Sequence, residues 1–293
     1  MLRGKQRDTA IIKKLDEWRQ SSPDWPRAIE TGIRLLRLSI DTKARMTPPQ
    51  PHLSRDAISS LLLKGQSILP FAELALDGPL LEETFQAAVP ILTGARADTQ
   101  DDSQRLWQLA ANTPLLRQVA RDYYNGTPLS ATAVEHCIDA ALLEDCLRAA
   151  LAPFLWAHSE ALSELVAQEL WRRKSCPACG GTADFAYLEA EAGARWLMCS
   201  RCSLEWLFQR VQCPYCATQK HESLSYRTNT QGIYQLYTCE ECRCYIKAID
   251  LRRAGAEVLL PLERVLTADL DRQAKEAGYR PGSRPASWSQ PAD

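Results

Sequence analysis

Over the first 174 residues the apolar positions recur with a helical period. Ile29, Ile33, Leu36 and Ile40 fall at i, i+4, i+7 and i+11, lining one face of a helix that starts after Pro26 and stops before Thr47-Pro48-Pro49. Similar stripes at Ile58, Leu61 and Leu62, and at Leu81, Phe85, Ala88 and Val89, are bounded closely by Gly or Pro. Thr113-Pro114 has the form of a helix start, a capping hydroxyl followed by proline at the first helical position. Leu115, Leu116, Val119 and Tyr123 carry that stripe to a stop at Asn125-Gly126. Two more helical stretches are expected, from Ser130 to about Leu151 and through Leu162, Leu165, Val166 and Leu170. A one-sided apolar stripe must be covered by a partner, so residues 1–174 predict an α-helical bundle domain.

From Ser175 the period shortens. Runs rich in β-branched and aromatic residues, such as Asp184 to Glu189 and Glu205 to Val211, alternate with turns and cysteine pairs, which predicts short strands. The pattern repeats at 37 residues: Cys176-Pro177-Ala178-Cys179, Ala192-Gly193 and Cys199-Ser200-Arg201-Cys202 are echoed by Cys213-Pro214-Tyr215-Cys216, Gln231-Gly232 and Cys239-Glu240-Glu241-Cys242. Two copies of one small unit are implied, over 175–212 and 213–252. Beyond them, in 253–293, an amphipathic segment around Leu259 to Leu270 is expected to pack back, and the Pro-, Ser- and Arg-rich tail from Pro281 to be flexible.

A length of 293 residues suits two ordinary domains. Lys plus Arg, at 35, balance 36 Asp plus Glu, so no global field draws the chain to nucleic acid or to an anionic membrane. No apolar run approaches the ~18 residues of a spanning helix. Met1 to Asp8 is basic but has no apolar signal core, so a cytoplasmic location is expected.

Cysteine changes the picture. Nine of the eleven lie between Cys176 and Cys244, and eight of those form four C-x-x-C pairs. In a reducing compartment such a framework points to metal or redox chemistry rather than structural disulfides. A C-x-x-C knuckle presents two thiolates to one ion, and two knuckles complete a tetrahedral site. With 19 residues between Cys179 and Cys199 and 22 between Cys216 and Cys239, the simplest pairing puts Cys176, Cys179, Cys199 and Cys202 on one metal and Cys213, Cys216, Cys239 and Cys242 on a second. A cross-braced pairing of alternate knuckles is the alternative. The fold class expected is therefore α+β: the helical bundle followed by a tandem rubredoxin-like or zinc-ribbon β domain.

Other candidates are weaker. Thioredoxin-like chemistry would need a βαβ pattern that is not present. Cys244 forms C-x-C with Cys242 and is a neighbour or a substitute ligand; Cys137 and Cys146, placed on one helix about 13 Å apart, suit small core positions. His52, His136, His158 and His221 stand apart from any nucleophile, with His221 a candidate hydrogen-bond donor to a thiolate. No nucleophile elbow, phosphate loop, dinucleotide fingerprint or H-E-x-x-H motif occurs, so no catalytic residue is assigned and a non-enzymatic role is expected. Trp171 to Arg253 holds 12 Lys or Arg against 8 Asp or Glu, an excess that two tetrathiolate sites of about −2 each would cancel. Nucleic acid is not the expected partner, although a zinc-ribbon nucleic-acid-binding protein is the second reading. Trp206, Phe208 and Arg210 fit core aromatics and an arginine, or an anchor for a partner.

Cys-Pro-x-Cys-Gly at 176–180, Cys-x-x-Cys at 199–202, Glu-Trp-x-x-x-Arg-Val-x-Cys at 205–213 and Cys-x-x-Cys-x-x-Tyr-Ile-Lys at 239–247 resemble the FdhE family, as does Ala277-Gly278-Tyr279. These are cytoplasmic accessory proteins needed to make active formate dehydrogenase. The resemblance implies a chaperone-like maturation role, binding the immature catalytic subunit of formate dehydrogenase, with iron favoured over zinc at both four-cysteine sites. Both sites are expected to have a structural or redox role, and a homodimer is a candidate assembly.

Overall fold

In this computed structural model, residues 4–21, 24–96, 100–255 and 258–282 are described, so the tail expected to be flexible lies outside them from 283 onward. The helical stripes become α1 (Gly4–Ser21), α2 (Arg27–Ala44), α3 (Arg55–Leu63), α4 (Gly78–Thr93), α5 (Gln100–Ala111), α6 (Thr113–Asn125), α7 (Ser130–Glu135) and α8 (Ala140–Leu162). Side-chain caps set the starts of α3, α4 and α6. Ser54, Asp77 and Asn112 accept hydrogen bonds from the amides of Ala57, Leu80 and Leu115, at 3.2, 3.0 and 3.2 Å. The cap of α6 is thus Asn112 rather than Thr113, whose hydroxyl instead donates to Glu82 Oε2 at 3.2 Å. Gly126, left-handed at φ 78°, ends α6 as its sequence suggested.

The helix expected from Ser130 to Leu151 is two. Cys137 turns left-handed at φ 51°, the Ile138 amide bonds back to the Ala133 carbonyl at 2.9 Å, and Asp139 caps α8 by accepting from the Leu142 amide at 2.8 Å. A helix stop and a fresh cap within three residues override a continuous apolar pattern. Cys137 is consequently an exposed turn residue, whereas Cys146 is buried as expected. After α8, Leu165 and Leu170 lie in short 3-10 turns, Ser163–Leu165 and Gln168–Leu170, rather than in a further helix. Among the described residues no helix is long and apolar enough to cross a membrane.

The chain forms two compact units. One comprises the described residues of Arg19–Pro49 and Pro70–Ala157, with a core built from the stripes of α2, α4, α6 and α8: Leu36, Ile40, Phe85, Val89, Leu116, Leu143 and Leu147 are buried. The other comprises those of Met1–Trp18, Gln50–Leu69 and His158–Arg284 and contains the sheet.

That sheet holds β1 (Ala183–Leu188), β2 (Arg195–Cys199), β3 (Glu205–Phe208), β4 (Leu224–Thr228), β5 (Tyr234–Cys239), β6 (Cys244–Asp250) and the two-residue β7 (Arg280–Pro281). Its order is β3-β2-β1-β6-β5-β4, so each cysteine repeat is an antiparallel three-stranded meander. The meanders join through a parallel pair, Phe185 to Leu188 of β1 against Lys247 to Asp250 of β6. β7 runs parallel to the start of β6, from Cys244 opposite Arg280 to Tyr245 opposite Pro281. With neighbours on both edges, β6 is buried along its whole length.

The amphipathic C-terminal segment packs back as expected, as α9 (Leu260–Leu266) and α10 (Ala268–Glu276). Leu260 joins Phe185, Tyr187, Met198 and Ile249, while Leu270 and Ala274 join Leu236 and Tyr245. The buried Lys247 ammonium donates to Asp271 Oδ2 at 2.7 Å and to the Arg264 carbonyl at 3.0 Å, tying β6 to both helices. A second backbone link holds residues 50–69 to the first knuckle, where the Ile68 and Leu69 amides donate to the carbonyls of Pro177 and Ala178, each at 3.0 Å.

Candidate metal centre

Strand register carries the four knuckles to two points. Ala183 at the start of β1 lies opposite Cys199 at the end of β2, so the knuckle before β1 meets the knuckle after β2. In the second meander Leu224 opposes Cys239, and Cys239 opposes Cys244, which places the knuckle before β4 beside the one joining β5 to β6.

Each knuckle is a tight backbone loop. The Gly180 amide donates to the Cys176 carbonyl at 3.0 Å, Ser203 to Cys199 at 3.1 Å and Ala217 to Cys213 at 3.1 Å. Amides also turn inward toward sulfur: Arg201 N donates to Cys199 Sγ and Tyr215 N to Cys213 Sγ, both at 3.4 Å. In all four knuckles the residue after the second cysteine is left-handed, with φ of 70° at Gly180, 55° at Ser203, 64° at Ala217 and 55° at Arg243.

The thiols gather into two groups, Cys176, Cys179, Cys199 and Cys202, and Cys213, Cys216, Cys239 and Cys242; within each, all four sulfurs lie inside 4.8 Å of one another. Cys176 to Cys202 and Cys179 to Cys199 are both 3.5 Å apart, Cys213 to Cys242 3.7 Å and Cys216 to Cys239 3.6 Å. These are far beyond a disulfide bond. A tetrahedron of thiolates about 2.3 Å from a central ion has edges of about 3.8 Å, so either group could hold a tetrahedral metal with small adjustments. The grouping is consecutive rather than cross-braced.

Electrostatics favour a cation in each. Burial pushes the Cys176 and Cys202 thiols well above their ordinary range, while hydrogen bonds from Cys176, Cys199 and Cys202 hold Cys179 down. In the second group the bond with Cys242 and burial raise Cys213, and burial pushes Cys239 up to about 11. Four thiols packed this closely cannot all ionise against each other, and a bound divalent ion supplies the missing positive charge.

The groups differ in access. The first is wholly buried, whereas Cys216 is exposed and Cys242 partly so. Cys244 stands outside the second group and donates from its thiol to the Cys242 carbonyl at 3.4 Å. His221 is exposed in a 3-10 turn and makes no hydrogen bond to a sulfur among the described residues. Trp206 and Phe208 are core residues. The strand containing them ends at Phe208, short of the expected Val211, because Gln209 to Val211 turn outward toward the third knuckle.

No motif announces Arg195. It sits on β2 with only 3% of its surface exposed, donates to the Gln212 carbonyl at 2.6 Å, and lies over the rings of Phe208 and Tyr237 at 5.3 and 5.7 Å. Its one sequence signal is a charge at a strand position whose register partner is aromatic.

Comparison with known proteins places these features. The family model described as "FdhE, central domain" matches residues 175–210. An FdhE homolog of Aquifex aeolicus is 31% identical over 189 residues, covering 57% of this chain and 65% of that protein. One from Stutzerimonas stutzeri is 32% identical over 149 residues, 46% of this chain and 48% of its own. The chain thus aligns with about half to two thirds of the length of these relatives. The crystal structure of the FdhE protein from Pseudomonas aeruginosa has the same fold, with a TM-score of 0.56 over 91% of this chain and 94% of that one at 21% identity. The chain is thus similar to FdhE proteins, at its first pair of knuckles by the family model and along a longer stretch by these relatives.

Proposed function

We propose that the protein is a non-enzymatic accessory factor for formate dehydrogenase, holding the immature catalytic subunit in the cytoplasm during its maturation. The observation that carries this reading is the pair of closed four-sulfur groups in a chain similar to FdhE proteins. A site that spends all four tetrahedral positions on protein thiolates leaves none for a substrate, so it serves as a structural staple or a one-electron centre rather than a hydrolytic metal. Cys176, Cys179, Cys199 and Cys202 would hold one ion and Cys213, Cys216, Cys239 and Cys242 the other. Iron, favoured by the family resemblance, would add one-electron chemistry; zinc would act as a staple alone. The protein's own contribution is to fix the thiolates: the strand registers bring the knuckles together, and the inward amides of Arg201 and Tyr215 stabilise thiolate charge.

Replacing Cys176 and Cys179 by serine in cells that depend on this protein tests the proposal. Formate dehydrogenase activity should fall to background while the amount of catalytic-subunit polypeptide synthesised is unchanged. Full activity from a variant shown to have lost its metal would refute it.

A further inference from the structure

Beside the second cysteine group the sheet carries a cavity of about 300 Å³, walled by Cys213 and Cys239 of that group and by Arg195, Arg210, Arg252 and Arg253. Its only acidic lining residue is Asp250, and that carboxylate is already engaged by Arg252, whose Nε and Nη2 donate at 2.8 and 2.7 Å. Arg195 and Arg210 make no ion pair among the described residues. The two differ in setting, Arg210 being exposed and Arg195 buried.

A buried guanidinium without a counter-charge is costly. Burial draws the Arg195 pKa down to about 10. Its Nε also has no hydrogen-bond acceptor, and neither has the neighbouring Gln212 Oε1 a donor, among the described residues. A metal-loaded tetrathiolate of about −2 together with Asp250 would not offset four arginines, so the wall stays net positive. A volume at the lower end of the small-molecule range suits a small ligand, not an inserted loop. Tyr237, stacked on Tyr226 with ring centroids 5.5 Å apart, adds an aromatic wall.

We propose that this cavity binds a small oxyanion-bearing ligand, a phosphate monoester or a carboxylic acid with a flat apolar body, through Arg195 and Arg210. The site adjoins the second four-sulfur group through Cys213 and Cys239 but does not depend on the identity of the client.

Calorimetric titration of the metal-loaded full chain with phenyl phosphate and, separately, benzoate tests it, at low ionic strength and with metal content checked afterwards. Saturable one-site binding of at least one of them is expected, weakened tenfold or more by Arg210→Gln and unchanged by Arg227→Gln on the adjacent strand. Binding of phenyl phosphate alone identifies a phosphorylated ligand; binding of benzoate alone identifies a carboxylate. Arg195→Gln should weaken binding likewise, and if that variant does not fold, the exposed Arg210 decides. No saturation by either compound, or an affinity that Arg210→Gln leaves unchanged, overturns the proposal. Neither result bears on the maturation reading, whose test is formate dehydrogenase activity in cells.

Discussion

Gly180, Ser203, Ala217 and Arg243 do the same conformational work, yet only the first is a glycine. A left-handed backbone costs an L-residue about 1–2 kcal/mol, and glycine escapes that cost. Replacing Ala217 by glycine removes it while adding about 0.4–1 kcal/mol of unfolded-state freedom, for a net gain of up to about 1.6 kcal/mol. Gly180→Ala should lose up to about 1.6 kcal/mol, because a Cβ there meets only Ser67, at 3.5 Å and beyond in ordinary contact, so the torsional cost less the same unfolded-state term sets the loss. Thermal unfolding of the metal-loaded variants checks the pair; a lower melting temperature for Ala217→Gly, or a higher one for Gly180→Ala, would contradict it. The cysteines were legible because their spacing is the chemistry. The left-handed turns at Ser203, Ala217 and Arg243 were not, since the knuckle imposes a conformation those residues do not themselves prefer. Arg195 was hidden for another reason: its burial depends on β3 and β5 lying beside it.

Among the elements, strand ends decide how exposed each cluster is. Both groups are built from a knuckle before the first strand of a meander and a second at a strand end, but only the first is fully enclosed. Thiolate–metal bonds are lost to competing ligands or protons through the accessible sulfur, so the group containing exposed Cys216 should surrender its ion first. With a chelator in excess, metal release is expected in two phases, and Cys216→Ser should remove the fast one while leaving the slow one. A single phase, or a fast phase that survives Cys216→Ser, would show that exposure does not govern release. Helix positions were readable from the 3.6-residue period, as at α2 and α4. The division of α7 from α8 was not, because the apolar pattern runs through the break and the stop rests on one left-handed residue, Cys137, and the cap at Asp139.

At the level of the whole chain, the repeat of 37 residues announced two similar units, and two similar meanders formed. Their fusion into one sheet through the parallel β1 and β6 pair has no local signature, because its backbone bonds join residues about 60 apart. The C-terminal helices that cover the sheet were visible as an amphipathic segment, and the break between them at Thr267 was not. The family likeness was legible in the knuckles and their flanks, where motif and geometry coincide. Both groups are expected to bind metal, which metal analysis of protein purified anaerobically without added metal decides. About two ions per chain are expected, falling to about one in Cys213→Ser/Cys239→Ser and to about one in Cys176→Ser/Cys202→Ser. Fewer than one ion in the unaltered chain, or a content that neither double variant lowers, would contradict the account.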